Sequence, residues 1–377
     1  MEILKISILG DVCPTIDYRK FIDSGDQISW GGICEIFHAS DLNIVNFECP
    51  ATNSQISAKK CGPCQKALPS DINWIRKMGF NILSLANNHI KDYGSEAVLE
   101  TIALCKENNI EYVGAGKNED EARVGRIIEI KGRRIGIISF AEAEFNLASE
   151  DAPGANFFDS LESPEIISDL KHKCDYLIVL YHGGIEHYRY PSPLLQKKCR
   201  KMIRSGADFV LCQHSHCIGT YEKYQNGAIL YGQGNGIFGY RRNSPAWNEG
   251  LLIQLVFSNT CEIQFTLLRA TTDGIRIASV EETDHFLIQM KNESEKLADM
   301  EWLKCSWKQF CMKQADLDRP LFYAKSRLLI RANRLTHNML LRVLIGKSKE
   351  MITMNFLRCD ALREVITTIL EHDVYGS

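Results

Sequence analysis

The chain has 377 residues, 45% of them hydrophobic and 24% charged, enough for one large or two ordinary domains with a sizeable core. A net charge of −3 gives no overall attraction to nucleic acid, and no apolar run reaches the roughly 18 residues that a membrane-spanning helix needs. Fourteen cysteines without a compact framework are expected to be reduced thiols, and strand signals starting at Lys5 leave no space for a signal peptide; both expectations point to a cytoplasmic protein.

Residues 3–9 form an apolar run that reads as a buried strand ending on Gly10-Asp11, and residues 41–47 read as a second, ending on Glu48. Residues 69–79 read as a capped helix stopped by glycine, and 80–85 as a strand leading into Asn87-Asn88-His89. A helix over 95–108 sets Ala97, Val98, Ile102 and Leu104 on adjacent turns, and Tyr112-Val113 begin another strand. Residues 126–130 and 134–140 flank Lys131-Gly132 as a hairpin. Then come a helix over 163–173, a strand over 176–181 before His182, a helix over 193–205, and a strand over 209–212 before Gln213-His214-Ser215-His216. Residues 221–231 carry an Asn226-Gly227 turn, and 250–257 with 262–269 suggest antiparallel strands. Alternation followed by antiparallel pairs predicts an α/β fold of stacked β-sheets flanked by helices. Past about Thr283 glycine nearly vanishes and the period is helical, which predicts a domain over 1–282 and a helical C-terminal extension over 283–377.

Five of these strand-like runs end on metal-ligand types of residue. Asp11 offers a hard oxygen, although a turn or N-cap aspartate is the plainer account of an isolated Gly-Asp. Glu48, at the end of an apolar strand, is costly unless paired or coordinated. The Asn88 amide oxygen is a workable ligand, and the neighbouring His89 can donate to charge that develops in a transition state; a hydrogen-bonded strand terminus is the alternative. His182 alone would usually be structural, but Gly183-Gly184 behind it permit close approach of a substrate. His214 and His216, two apart on an extended segment, project to one side and can each meet a metal.

Together these residues resemble the CapA family of capsule and poly-γ-glutamate biosynthesis proteins, within the calcineurin-like metallophosphoesterase fold, over roughly residues 3–260. The likeness is carried by Gly10-Asp11-Val12, Asn46-Phe47-Glu48, Ala86-Asn87-Asn88-His89 with Asp92-Tyr93-Gly94, Val113-Gly114-Ala115-Gly116, His182-Gly183-Gly184 with Glu186, Gly206-Ala207-Asp208 before Gln213-His214-Ser215-His216, and Tyr231-Gly232-Gln233-Gly234-Asn235. It implies one or two divalent metal ions, of Mn, Zn or Fe type. Asp11, Glu48 and His216 would hold one, Glu48, Asn88, His182 and His214 the other, with Glu48 bridging and His89 as catalytic acid or electrostatic stabiliser. The implied activity is that of a metal-dependent hydrolase or transferase, using metal-activated water on a phosphoester or γ-glutamyl amide; the alternative is a non-catalytic polymer-binding or assembly protein on the same fold. Lys60 beside Lys59 is a candidate contact to an anionic small-molecule or polymer substrate, and Glu186, Glu222 and Asn235 match family positions around the cleft. Cys13 stands where the broader phosphoesterase pattern has histidine, and either a soft-metal thiolate or a buried neutral thiol fits there.

Two further features stand apart from this pattern. Cys61-Gly62-Pro63-Cys64 matches the thioredoxin tetrapeptide but follows no apolar strand, so it reads as a turn; a thiol oxidoreductase would need a reversible disulfide there. Between Leu321 and Lys349 there are seven Lys or Arg and no Asp or Glu, and Arg327, Arg331, Arg334 and Arg342 share one helical sector. Such a helix suits an anionic surface or an acidic protein partner, while its wide apolar remainder suits packing on its own domain.

Overall fold

The structure, a computed structural model, describes residues 2–14, 16–25, 28–60, 62–323 and 327–344, with the backbone alone at 16, 28, 314–323 and 327. Its strands in chain order are β1 (Leu4–Val12), β2 (Leu42–Phe47), β3 (Ile82–Ser84), β4 (Glu111–Val113), β5 (Ala115–Gly116), β6 (Arg126–Ile130), β7 (Arg133–Ala141), β8 (Gly154–Ala155), β9 (Tyr176–His182), β10 (Phe209–Gln213), β11 (Tyr221–Tyr224), β12 (Gly227–Leu230), β13 (Asn235–Ile237), β14 (Glu249–Phe257), β15 (Cys261–Thr271) and β16 (Gly274–Ile277). The helices are α1 (Arg19–Ser24), α2 (Ile33–His38), α3 (Asp71–Lys77), α4 (Gly94–Glu107), α5 (Glu119–Ala122), α6 (Ser163–Lys171), α7 (Pro193–Arg204), α8 (Val280–Glu295), α9 (Met300–Tyr323) and α10 (Arg327–Leu335).

Two mixed sheets carry the fold, as the alternating pattern predicts. In the first, β1 to β4 run parallel, β1 also pairs with antiparallel β14, and β15 and β16 extend that edge, while β13 joins β1 in parallel. In the second, β7, β9, β10 and β12 are parallel, with β6 and β11 as antiparallel edges. A core layer unites the facing sides: Ile6, Ile8, Ile44 and Ile82 from one sheet meet Ile135, Ile137, Ile178 and Leu180 from the other. The outer side of the first sheet packs Val45 and Leu83 under Phe37, Ile75 and Val98; that of the second packs Val179 and Val210 under Leu195, Cys199 and Met202. Strands buried on both faces need continuous apolar runs, which is why they were legible as such.

The differences from the sequence reading are local. Asp11 lies inside β1 rather than after it. The hairpin turn of β6 and β7 takes left-handed backbone at Lys131 and Gly132, as expected for a two-residue loop. The next hairpin turns one residue early, on Gln225-Asn226. Gly227 instead begins β12, where an added Cβ would stand 2.6 Å from Ile203 Cδ1. Short α1 and α2 and strands β5, β8, β13 and β16 lack a periodic signal of useful length.

The chain divides into compact units Met1–Leu303 and Lys304–Ser377. The first runs past the expected boundary at 282 because Phe286 and Met290 of α8 are buried in the core between the sheets. The Ser279 capping box, with Glu282, starts that helix where the composition changes. In the second unit the basic stretch falls partly outside the described residues; within it α10 exposes Arg331 and Arg334. Among the described residues no helix is long and apolar enough to cross a membrane.

Candidate metal centre

The carboxyl ends of parallel strands from both sheets meet in one buried cluster. Asp11 Oδ1 accepts a hydrogen bond from Asn46 Nδ2 at 2.7 Å, and Oδ2 accepts from the His214 backbone N–H at 3.2 Å. Glu48, just past β2, is fully buried, with Oε1 3.5 Å from His182 Nε2, 3.9 Å from His216 Nε2 and 4.0 Å from His89 Nε2. Neither of its oxygens has a hydrogen-bond partner of regular geometry. His182 Nε2 lies 2.9 Å from Asn88 Oδ1 and 3.2 Å from His214 Nδ1. His216 Nε2 faces Glu48, and its Nδ1 lies 3.6 Å from Asp11 Oδ2.

These side chains form two groups that share Glu48. Glu48, His182 and His214 make one, and Asp11, Glu48 and His216 the other; within each group the candidate ligand atoms lie within 4.8 Å of one another. His214 and His216 do not lie on an extended segment. Both have left-handed backbone, with φ of 86° and 50°, a strained arrangement that sends the two rings to different groups.

Burial dominates the electrostatics of these side chains. Burial raises the Asp11 carboxyl to about 7 and pushes Glu48 well above the ordinary carboxylate range, the charge of neighbouring Asp11 adding to the effect on Glu48. Burial also lowers His182, His214 and His216, the last to about 3. Carboxylate, imidazole and one amide oxygen suit Mn, Zn or Fe, and the partnerless Glu48 oxygens supply the observation that a divalent ion fits.

The other candidate residues fall into distinct places. His89 Nδ1 is 2.6 Å from Asp92 Oδ2, which turns Nε2 toward Glu48. Lys60 is buried rather than displayed to solvent: its ammonium pairs with Asp92 and stands 3.3 Å from His89 Nδ1. Glu186 sits half-exposed at the rim beside His187 at 3.7 Å, and its charge reaches Asp11 and Glu48. Asn235 is buried and accepts from His216 Nδ1 at 2.9 Å while donating to the Trp247 carbonyl at 2.9 Å, so it orients a ring rather than facing the cleft. Glu222 lies apart from the cluster, its carboxylate taken up by Arg200 Nε at 3.0 Å and Tyr231 Oη at 2.6 Å. Cys13 is a buried thiol 3.9 Å from Gln65 Oε1 and belongs to neither ligand group. Cys61 lies outside the described residues; burial raises the Cys64 thiol, opposite to what a redox nucleophile needs.

Several positioning residues had no separate role in the sequence reading. Asn46 Nδ2 serves Asp11 and also stands 3.1 Å from His182 Nδ1, tying a ligand of each group together. Asp92 follows His89 by three residues in one turn, a spacing that could have marked the pair. Gly183 makes room for a side chain, not a substrate: an added Cβ there would be 2.4 Å from Glu142 Cγ. Glu142 in turn accepts from the Gly184 N–H, Tyr181 Oη and Lys198 Nζ.

A two-sheet α/β scaffold thus gathers two carboxylates, three imidazoles and an amide at its strand ends as candidate ligands of a divalent metal. The chain belongs to the family described as bacterial capsule synthesis protein PGA_cap, which matches residues 5–240. It is 29% identical over 249 residues to the capsule biosynthesis protein CapA of Bacillus anthracis, covering 63% of this chain and 60% of that one. It is 28% identical over 243 residues to the PGA biosynthesis protein CapA of Bacillus subtilis (strain 168), covering 63% and 64%. The chain thus spans less than two thirds of the length of either relative. Among solved structures it is similar to a phosphatase of Mycoplasma pneumoniae, with 12% identity, a TM-score of 0.44, and 77% of this chain and 99% of that one covered.

Proposed function

We propose that this chain is a metal-dependent hydrolase of capsule or poly-γ-glutamate metabolism, acting on a phosphoester or a γ-glutamyl amide. The observation that carries the reading is Glu48, fully buried, without a hydrogen-bond partner of regular geometry among the described residues and common to both ligand groups. Asp11, Glu48 and His216 would hold one ion, and Glu48, Asn88, His182 and His214 the other. A divalent ion there supplies Lewis-acid charge and activates water as a nucleophile. Asp92 anchors His89 Nδ1 and leaves its Nε2 facing the centre, where it gives a proton to the departing group. Asn46 and Asn235 hold the His182 and His216 rings, and Lys60 balances the charge of Asp92. The described cysteines are free thiols, which supports a cytoplasmic setting as part of this proposal.

The test combines metal content with turnover. Protein purified without chelator and loaded with Mn²⁺ or Zn²⁺ is assayed on a general phosphodiester and on a γ-glutamyl peptide, beside His214→Ala and His216→Ala. Metal-dependent turnover that both substitutions abolish supports the hydrolase and chooses the bond. A metal-loaded wild type that cleaves neither substrate contradicts it and favours a polymer-binding or assembly role.

A further inference from the structure

Near the candidate centre stands a cation that has no salt bridge among the described residues. Arg241 is exposed, and its guanidinium lies over the Trp247 ring, 3.2 Å from the centroid. Trp247 packs on His216 with ring centroids 4.5 Å apart, so the same indole neighbours both Arg241 and a candidate ligand. The platform is fixed. Arg241 N–H donates to Asn248 Oδ1 at 2.9 Å, Asn248 Nδ2 donates back to the Arg241 carbonyl at 2.8 Å, and Trp247 Nε1 donates to the Gly239 carbonyl at 3.3 Å. Asn235 binds both the His216 ring and the Trp247 carbonyl, which sets the distance between platform and ligand.

The guanidinium itself makes no hydrogen bond or ion pair among the described residues; its hydrogen bonds are those of its backbone. Other arginines of this unit differ: Arg19, Arg200, Arg269 and Arg276 each bind a carboxylate at 3.0 Å or less. Glu186 stands near the same platform: its carboxylate is 3.7 Å from His187 Nε2, and the His187 ring centroid lies 6.2 Å from that of Trp247 and 6.3 Å from that of His216. A guanidinium held over an indole keeps its planar fork of donors oriented and loses little freedom on binding an oxyanion.

We propose that Arg241, stacked on Trp247, is the anchor for an anionic group of the substrate, carboxylate or phosphate, next to the centre. The assignment rests on the hydrolase reading for its substrate but not for its test. A bidentate pair would hold the bound group at the rim, next to the Trp247 ring that packs on His216.

Binding is measured by calorimetry on the Mn²⁺-loaded full chain with two probes, a γ-linked glutamate tetramer and inorganic phosphate. Arg241→Gln and Arg241→Lys are compared with wild type, and metal content is recorded for each. The expected result is at least about tenfold weaker binding of one probe by Arg241→Gln, with partial recovery in Arg241→Lys and unchanged metal content. Loss confined to the tetramer assigns the anchor to carboxylate, and loss confined to phosphate assigns it to phosphate. Arg241→Gln that binds both probes as wild type does, or a wild type that binds neither, overturns the assignment. Absence of turnover in a wild type that still binds contradicts the hydrolase alone, so the two failures read separately.

Discussion

Asn235 Oδ1 accepts a hydrogen bond from His216 Nδ1 at 2.9 Å, because the amide nitrogen of Asn235 is already committed to the Trp247 carbonyl. This fixes the proton on Nδ1 and leaves the lone pair of Nε2 turned toward Glu48. Asn235→Ala should therefore weaken metal binding by about 10–100-fold with the fold intact. Titration calorimetry with Mn²⁺, beside a far-ultraviolet circular dichroism spectrum, checks it; unchanged affinity would remove Asn235 from the centre.

The same cluster sets a pH dependence. Below about 7 Asp11 holds a proton in the metal-free protein, and Glu48 is shifted in the same direction. A cation must displace those protons, so Mn²⁺ affinity should fall as pH drops through about 7, with proton release on binding. The histidines add less, since burial lowers all three, His182 well below its usual range and His216 to about 3. Calorimetry in buffers of different ionisation enthalpy measures the protons released. Release that is absent at pH 6 would show that the carboxylates were already ionised.

His89 Nε2 stands 4.0 Å from Glu48 Oε1, and its Nδ1 is 2.6 Å from Asp92 Oδ2. In the proposed hydrolase, His89→Ala should lower kcat by about 10²–10⁴-fold while metal content holds. Asp92→Asn should give a smaller loss of kcat and a changed pH profile, because it alters how the ring is held. Equal KM and kcat in His89→Ala and wild type would leave the imidazole without a role.

Gly183 and Glu142 occupy the same space. Gly183→Ala should cost about 1–3 kcal/mol of unfolding free energy, since its Cβ would stand 2.4 Å from Glu142 Cγ. The cost should shrink in a Glu142→Ala background, and a double-mutant cycle from urea unfolding of the metal-free protein reads the coupling. An additive cycle would show that the clash relaxes elsewhere.

Much of this arrangement was legible in the residue order. Apolar runs such as Tyr176–His182 and Phe209–Gln213 announce strands buried on both faces, and ligand-type residues at their ends announce a shared edge. What stayed hidden depends on contacts made across the fold. Asn46 and Asp92 stand in the motifs, but their bonds to Asp11, His182 and His89 appear only when the sheets stack. Lys60 looks like surface charge until Asp92 is seen to bury it, and Glu222 looks like a cleft residue until Arg200 and Tyr231 claim it. The Gln213-His214-Ser215-His216 run suggests an extended pair, whereas its left-handed backbone divides the rings between two groups.

The most direct test of the account is elemental analysis of wild type and Glu48→Gln after loading with Mn²⁺ or Zn²⁺ and removal of free ion. Glu48 is common to both ligand groups, so the account predicts near-stoichiometric metal in wild type and loss of most of it in the folded variant. A folded wild type that retains no metal, or a Glu48→Gln that retains as much as wild type, would contradict a centre built on this carboxylate.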